Sequence, residues 1–219
     1  MTSASFVSPL LDQLLGDAEL AAHFDIDAEI KAMLAFETAL AEAEAAEGVI
    51  APEAARAIIA ACDSFSPDIA ALMSGVTRDG VVVPEFVRQL RQAIGEPHAK
   101  HAHHGATSQD VIDSALALRL KTILSIVETR LQALIADLDQ IAARDGDHAL
   151  MGRTRMQRAR PINVAQKIAN WRDPLARRAQ ELPQLRSSVL VVQFGGAVGN
   201  RAELGDTAQA IADRLAASL

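Results

Sequence analysis

Residues 111–145 read VIDSALALRLKTILSIVETRLQALIADLDQIAARD, a stretch without glycine or proline. Apolar side chains recur at every third or fourth position, which is the spacing of one helix face: Leu116, Leu120, Ile123, Val127, Leu131, Leu134, Leu138 and Ile141. A second stripe, Leu124 and Ile135, widens that face. Such a helix is roughly 50 Å long and needs other long helices around it, from its own chain or from partner chains. We therefore predict a helix-bundle fold.

The composition favours an all-α protein. Of the 219 residues, 50% are hydrophobic, 3% are aromatic and none is tyrosine. Much of the apolar content is alanine and leucine, which prefer helices to sheets. This apolar fraction excludes a disordered chain, and the bias argues against an all-β fold. The formal net charge of −7 argues against a general nucleic-acid binder, which needs a basic surface.

The same sequence indicates a cytoplasmic protein. Cys62 is the single cysteine, so an internal disulfide is excluded and a reducing compartment is indicated. Its alanine-rich surroundings predict a small buried side chain rather than a nucleophile. The N-terminus lacks a basic segment followed by an apolar run, and no stretch reaches the ~18–20 apolar residues of a membrane span. We expect no membrane partner.

On both sides of the long helix, glycine and proline divide the chain into segments. Towards the N-terminus, the pattern predicts helices at 27–47, 52–63, 67–73 and 84–94, with a loop at 75–80. Towards the C-terminus, it predicts a loop at 146–161 and helices at 162–181, 182–192 and 202–219, with a kink at Pro174. We predict two domains: an N-terminal helical domain over 1–104 and part of a central long-helix bundle over 105–219.

A histidine-rich cluster, HAKHAHHGATSQD at 98–110, directly precedes the long helix. One interpretation is a solvated polar loop with Ser108 or Asp110 as the helix N-cap. A second is a metal site, although the cluster has no cysteine and no standard ligand spacing. A third is an anion site, in which the hydroxyls of Thr107 and Ser108 and free backbone N–H groups bind a carboxylate. Neighbouring histidines could then move protons. The third interpretation uses most of the residues.

An arginine-rich cluster, MGRTRMQRARP at 151–161, follows the long helix. It is either a basic connector that pairs with acidic side chains on nearby helices, or a binding site for a small polyanion. Arginine suits the second role because its guanidinium presents fixed donors to a carboxylate. Thr154 and Gln157 add neutral donors. The scarcity of aromatic residues argues against nucleic acid as the partner.

Both clusters resemble signature regions of the fumarase/aspartase superfamily. HHGATSQD at 103–110 resembles the first region, and GRTRMQRARPIN at 152–163 resembles the second, with matches at Gly152, Thr154, Gln157, Ala159 and Pro161. The first region is most similar to the branch of cycloisomerases that act on 3-carboxy-cis,cis-muconate. SPLL from Ser8, IKAMLAFETALAEAEAAEGVI from Ile30 and VPEFVRQLR from Val83 are also similar to that branch. The resemblance covers essentially the whole chain and implies an N-terminal helical domain followed by a central bundle.

The chain departs from the superfamily pattern in three places. Arg155 stands where many of these lyases have a catalytic histidine, which counts against fumarase and adenylosuccinate lyase activity and fits the cycloisomerase branch. FDIDAE at 24–29 lacks arginines that often follow Phe-Ser-Asp in that branch. The Gly-Ser-Ser-x-Met-Pro-x-Lys-x-Asn-Pro loop, which carries the serine taken to be the base, does not occur. We therefore expect a truncated chain that is inactive alone.

The resemblance implies an intramolecular lyase that converts 3-carboxy-cis,cis-muconate to a carboxymuconolactone in protocatechuate degradation, with no metal and no organic cofactor. It implies His104 as the first candidate for proton transfer and His103 as the second. It implies substrate binding by Thr107, Ser108, Gln109, Arg153, Thr154, Arg155 and Gln157. The expected partners are a small tricarboxylate substrate and three further copies of the chain, in a homotetramer with shared active sites. The alternatives are a superfamily lyase that releases fumarate and a non-catalytic helical oligomer.

Overall fold

The computed structural model describes residues 10–219, except the side chains of residues 12 and 13. Over this range the chain is helical with one small antiparallel sheet, which confirms the all-α prediction. The helices are α1 Asp12–Leu15, α2 Ala18–Ala21, α3 Ile26–Ala46, α4 Pro52–Ser64, α5 Ile69–Asp79, α6 Val83–Ile94, α7 Ser108–Asp145, α8 Val164–Val189 and α9 Ala208–Ser218. Short 3₁₀ segments lie at Ala22–Phe24, Ala99–His101 and Ala202–Thr207, and the strands are β1 Ala149–Thr154 and β2 Gln157–Asn163. Ser8 and Pro9 of the predicted N-terminal resemblance lie outside the described residues.

The chain forms two compact units. The first consists of the described residues through Leu120 together with Leu190–Leu219, and the second is Lys121–Val189. The division falls inside α7, whereas the sequence places a domain boundary between 104 and 105. The predicted domains 1–104 and 105–219 stay a prediction.

Helix α3 is the centre of the first unit. The Asp25 carboxylate caps its N-terminus by accepting the Ala28 N–H at 2.8 Å. Met33, Phe36 and Leu40 follow at helical spacing and are at most 1% exposed. Helix α3 packs against α4 and α9. The core around it contains Ile58, Phe86, Leu90, Val111, Ile211 and Leu215.

The second unit holds the remainder of α7, the two strands and α8. Arg172 of α8 forms an ion pair with Asp139 of α7 at 2.9 Å, and Arg186 donates to the Ser125 hydroxyl at 3.3 Å. Ile123, Leu138, Ile168 and Leu182 are buried, but several apolar side chains are exposed: Leu134, Ile141, Trp171 and Leu185. Much apolar surface on these two helices is therefore not covered within the chain.

The predicted loop at 146–161 is wrong, because most of it is an antiparallel hairpin. Thr154 pairs with Gln157 across a two-residue turn. Arg155 and Met156 form this turn with φ of 44° and 66°, the left-handed conformation that two-residue hairpin turns require. Neither residue is a glycine or an asparagine, so the usual sequence signal of such a turn is missing.

The predicted loop at 75–80 is also wrong, because α5 continues through Gly75 to Asp79. A β-carbon at Gly75 would lie 2.6 Å from Cβ of Glu85, so glycine allows α5 and α6 to pack closely. Gly80 ends the helix with φ of 79°, as a C-cap glycine does. The predicted helix at 182–192 is part of α8 and ends at Val189. The structure continues α8 through Pro174, and the kink there stays a prediction.

Among the described residues, no single helix is long and apolar enough to cross a membrane. Helices α4 and α5 reach that length and composition only as a pair, which is bent by 110° at the break between them. Cys62 lies on α4 and is 6% exposed, as predicted. Burial raises the pKa of its thiol to about 11.

Glu44 is a carboxyl group buried on α3. It is 1% exposed, and its Oε1 has no hydrogen-bond partner among the described residues. Burial, and secondarily the charge of Glu37, raise its pKa from 4.5 to about 8. Between these pH values the folded chain retains a proton that the unfolded chain releases. The free energy of unfolding therefore decreases as pH rises through this window.

We predict that Glu44→Gln weakens the pH dependence of stability, because glutamine does not ionise. Urea denaturation at several pH values between about 5 and 8 should show a smaller loss of unfolding free energy in the variant than in the wild type. Glu42→Gln, at an exposed position of the same helix, should keep the wild-type slope. Equal slopes for Glu44→Gln and the wild type would contradict the assignment.

Candidate active site

Asp110 holds together the backbone of the histidine-rich cluster. It lies in the first turn of α7 and is 1% exposed. Its carboxylate accepts the backbone N–H of Thr107 at 3.0 Å, of Gly195 at 2.9 Å and of Gly196 at 2.9 Å. The Thr107 bond is the contact that a capping box makes at a helix N-terminus. Asp110 thus fixes the start of α7 against the 195–196 segment, which is 85 residues away in sequence.

Gly105 allows the same loop to pack closely. Its φ is 64°, and a β-carbon there would lie 2.8 Å from Cδ2 of Leu204. Both the positive φ and the short distance to the Leu204 side chain therefore favour glycine at this position. In HHGATSQD, Gly105 and Asp110 fix the loop. The two histidines and the hydroxyls of Thr107 and Ser108 are the groups that could bind a ligand or transfer a proton.

His103 is held by a buried carboxylate. Its Nδ1 lies 2.7 Å from Oε1 of Glu37 on α3, and their side chains are 12% and 1% exposed. The φ of His103 is 60°, a conformation that non-glycine residues rarely adopt. His104, the first predicted proton-transfer residue, is half-buried next to it.

His103 and Ser108 line one cavity of about 640 Å³ in the first unit. Arg88, Arg91 and Lys100 also line it. Lys100 is exposed, whereas Arg88 is paired with Glu85 at 2.5 Å and Arg91 donates to the carbonyl of Ala102 at 2.9 Å. Glu96 is the one carboxylate among the lining residues, so positive charge is still in excess, which favours an anionic ligand.

The neighbouring His101 is partly buried and follows Lys100 directly in the chain. Burial and then the charge of Lys100 lower the pKa of His101, with smaller contributions from His104 and His98. A ligand with several carboxylates would be attracted to this region, although the chain as a whole has a net charge of −7.

The other predicted residues of this cluster have different surroundings. Ser108 is the first residue of α7. The N–H of Thr107 donates to Asp110 and is not the free donor that the sequence predicts, although the Thr107 hydroxyl is not part of that bond. Gln109 is exposed, and its amide donates to Asp113 at 2.6 Å. Asp110 and Ser108, the two N-cap candidates, lie inside the first turn, so neither is the N-cap.

Arg153, Thr154, Arg155 and Gln157 lie at the tip of the hairpin in the second unit. Thr154 and Gln157 face each other in the register, Arg155 is in the turn, and all four residues are exposed. The hairpin tip is therefore a compact group of donors. That it binds the same substrate as the histidine-rich cluster stays a prediction.

Sequence reasoning did not identify Glu37, Arg88, Arg91 or Lys100 as site residues. Glu37 carried a usable signal, because it occupies the apolar face of α3 between Met33 and Leu40 at helical spacing. No group of three or more His, Cys, Asp or Glu side chains among the described residues could hold a metal ion.

Comparison with known proteins identifies the class of the chain. A family model described as Lyase matches residues 12–219. The chain is 38% identical to a 3-carboxy-cis,cis-muconate cycloisomerase of Bradyrhizobium diazoefficiens over 97% of this chain and 48% of that one. It is 34% identical to an adenylosuccinate lyase of Pyrococcus abyssi over 90% of this chain and 44% of that one. The crystal structure of a 3-carboxy-cis,cis-muconate lactonizing enzyme from Pseudomonas putida matches with a TM-score of 0.90 and 36% identity, covering 96% of this chain and 49% of that one.

The chain belongs to the lyase family of the fumarase/aspartase superfamily, as its two signature regions predict. It spans about half the length of the curated relatives it matches.

We predict that Asp110→Ala destabilises the first unit by roughly 3 kcal/mol or more, because three backbone donors lose their acceptor. Chemical denaturation measures this difference. Asp113→Ala, one turn further along α7, removes only a contact to the exposed Gln109 and should change stability by about 0.5 kcal/mol or less. Similar stabilities for the two variants would show that Asp110 does not hold the loop.

Proposed function

We propose that the full-length protein is an intramolecular lyase that converts 3-carboxy-cis,cis-muconate to a carboxymuconolactone during protocatechuate degradation through the β-ketoadipate pathway. The observation that carries the proposal is the cavity in which His103 and Ser108 meet three cations at the start of α7. The similarity to the cycloisomerase and to the lactonizing enzyme supports the choice of substrate.

The reaction needs charge stabilisation and one proton transfer. A carboxylate oxygen of the substrate attacks a carbon of the conjugated diene, and the π electrons move towards another carboxylate. The resulting aci-carboxylate takes a proton on its α-carbon, so the product is an isomer of the substrate. Donors that bind the added charge more tightly than the ground state lower the barrier. The chemistry that we propose uses no metal or organic cofactor.

Each cluster has a role in this proposal. The hydroxyls of Thr107 and Ser108, with the N-terminus of α7, bind one carboxylate. Arg153, Thr154 and Gln157 of the hairpin bind another, and Arg155 and Gln109 are further substrate-binding residues. His104 is the first candidate for proton transfer and His103 the second.

We include a homotetramer with shared active sites in the proposal. Leu134, Ile141, Trp171 and Leu185 are exposed apolar side chains on α7 and α8, and helices with such surfaces associate with other helices. A cytoplasmic location also belongs to the proposal, because the single cysteine is buried and unpaired, which fits a reducing compartment.

A fumarate-releasing lyase is the second candidate, because the chain is also similar to an adenylosuccinate lyase. Arg155 counts against it, since many lyases of the superfamily use a histidine at this position. A guanidinium stays protonated near neutral pH and cannot act as the general base.

We predict that the full-length protein consumes 3-carboxy-cis,cis-muconate, which is measured as loss of diene absorbance. Adenylosuccinate serves as the second substrate in a parallel assay for fumarate release. Fumarate release without loss of the diene would favour the second candidate. No turnover of either compound would favour a non-catalytic helical oligomer.

We predict that Ser108→Ala lowers kcat/KM for the muconate by about 10- to 100-fold, which corresponds to one hydrogen bond to a charged group. Thermal unfolding should stay close to that of the wild type, since Ser108 is only partly buried. Ser64→Ala is the control, because this exposed hydroxyl bonds only to carbonyls of its own helix. If Ser108→Ala had the kcat/KM of the wild type, Ser108 would not be a substrate-binding residue.

A further inference from the structure

The contact between Glu37 and His103 joins two distant parts of the sequence. The residues are 66 positions apart, and Oε1 of Glu37 lies 2.7 Å from Nδ1 of His103. Glu37 belongs to the core helix α3, whereas His103 belongs to the loop that lines the cavity. The pair therefore links the hydrophobic core of the first unit to the candidate site.

Stability alone does not explain a carboxylate at this position. Glu37 lies on the same helix face as Met33 and Leu40, is 1% exposed, and its Oε2 has no partner among the described residues. Removing a carboxylate from water is costly, and an apolar side chain of similar volume often gives equal or greater stability at a buried ion-pair position. We therefore explain the carboxylate of Glu37 by its effect on the ring of His103.

The backbone of His103 also indicates a constrained residue. Its φ of 60° is unfavourable for a side chain with a β-carbon, and such conformations persist where the surroundings fix them. Glu37 bonds the ring, and Arg91 bonds the carbonyl of Ala102 immediately before it. Both the ring and the backbone of His103 are thus held from α3 and α6.

We propose that Glu37 is a positioning residue that fixes the ring of His103 with its proton on Nδ1 and leaves Nε2 for the ligand in the cavity. A carboxylate only accepts hydrogen bonds, so the contact requires N–H at Nδ1. Nε2 is then the one ring nitrogen that can exchange a proton with a bound substrate. A carboxylate orients histidine in this way in many active sites. The role of Nε2 in turnover rests on the proposed function, whereas the state of the ring does not.

The ring state can be measured on this chain without any substrate. Proton–nitrogen correlation spectra of the histidine rings, with His103 assigned by its loss in His103→Gln, should show the Nδ1–H form in the wild type. In Glu37→Gln, the amide can donate or accept, so the spectrum should change to a mixture of the two tautomers. Glu37→Asp keeps a carboxylate and should restore part of the Nδ1–H form. A wild-type ring without a proton on Nδ1, or an unchanged ring in Glu37→Gln, would overturn the proposal.

The kinetic measurement uses the full-length protein and the muconate. Glu37→Gln should lower kcat by about 10- to 100-fold, the usual effect of losing a group that orients a reactive histidine. KM should change less than about threefold, because the cations of the cavity are intact. Glu44→Gln is the matched control: this buried glutamate lies two turns further along α3, and it should keep the wild-type kcat. Equal kcat values for the two variants would overturn the role of His103 Nε2 in turnover and leave His104 as the proton-transfer residue.

The two measurements separate this inference from the proposed function. If the wild type does not convert the muconate, the proposed function fails, and the ring spectra still decide whether Glu37 positions His103. If the wild type is active and the ring of His103 does not depend on Glu37, the positioning role fails alone. If Glu37→Gln does not fold, Glu37→Asp is used for both measurements. A shift in the ring spectrum of His103 and a kcat below that of the wild type would then support the proposal.

Discussion

The buried carboxylate of Asp110 is the interaction on which the candidate site depends. Three backbone N–H groups converge on it, from the start of α7 and from the 195–196 segment. A charge that is 1% exposed is tolerated because donors surround it and the positive end of a long helix lies beside it. The position of Ser108 follows directly, because the turn that contains Asp110 begins with that residue. The left-handed Gly105 and the packing of Leu204 against it then fix the loop that leads to His103.

Independent elements hold the loop at separate points. The 195–196 segment holds Asp110, α6 holds the carbonyl of Ala102 through Arg91, and α3 holds the ring of His103 through Glu37. Electrostatic catalysis requires donors that are aligned before the charge develops in the transition state. Realigning them during the reaction would cost free energy and so reduce the stabilisation of the transition state. A loop fixed in this way supplies aligned groups without help from the ligand.

The sequence predicts much of the fold, because helix formation is local. The apolar spacing at 111–145 predicts α7 within three residues, and Pro52 and Pro84 mark the starts of α4 and α6. The sequence does not predict the hairpin, because its turn contains Arg155 and Met156 instead of glycine or asparagine. The sequence pattern predicts a helix break at Gly75, although close packing against Glu85 is what requires glycine there. At the site, Ser108 and His103 could be predicted from their motif, but the partner of His103 lies 66 residues away. No local pattern specifies which polar residue on a buried helix face meets a distant loop.

The distribution of charge explains why the basic residues are clustered. A tricarboxylate approaching a chain with a net charge of −7 meets repulsion from the surface as a whole. Screening by salt limits that repulsion to about 10 Å, so a few local cations decide the potential inside a cavity of about 640 Å³. Burial, and then the charge of Lys100, lower the pKa of His101 in the loop beside this cavity. The cations at this cavity therefore attract an anionic substrate locally, although the net charge of the whole chain is negative.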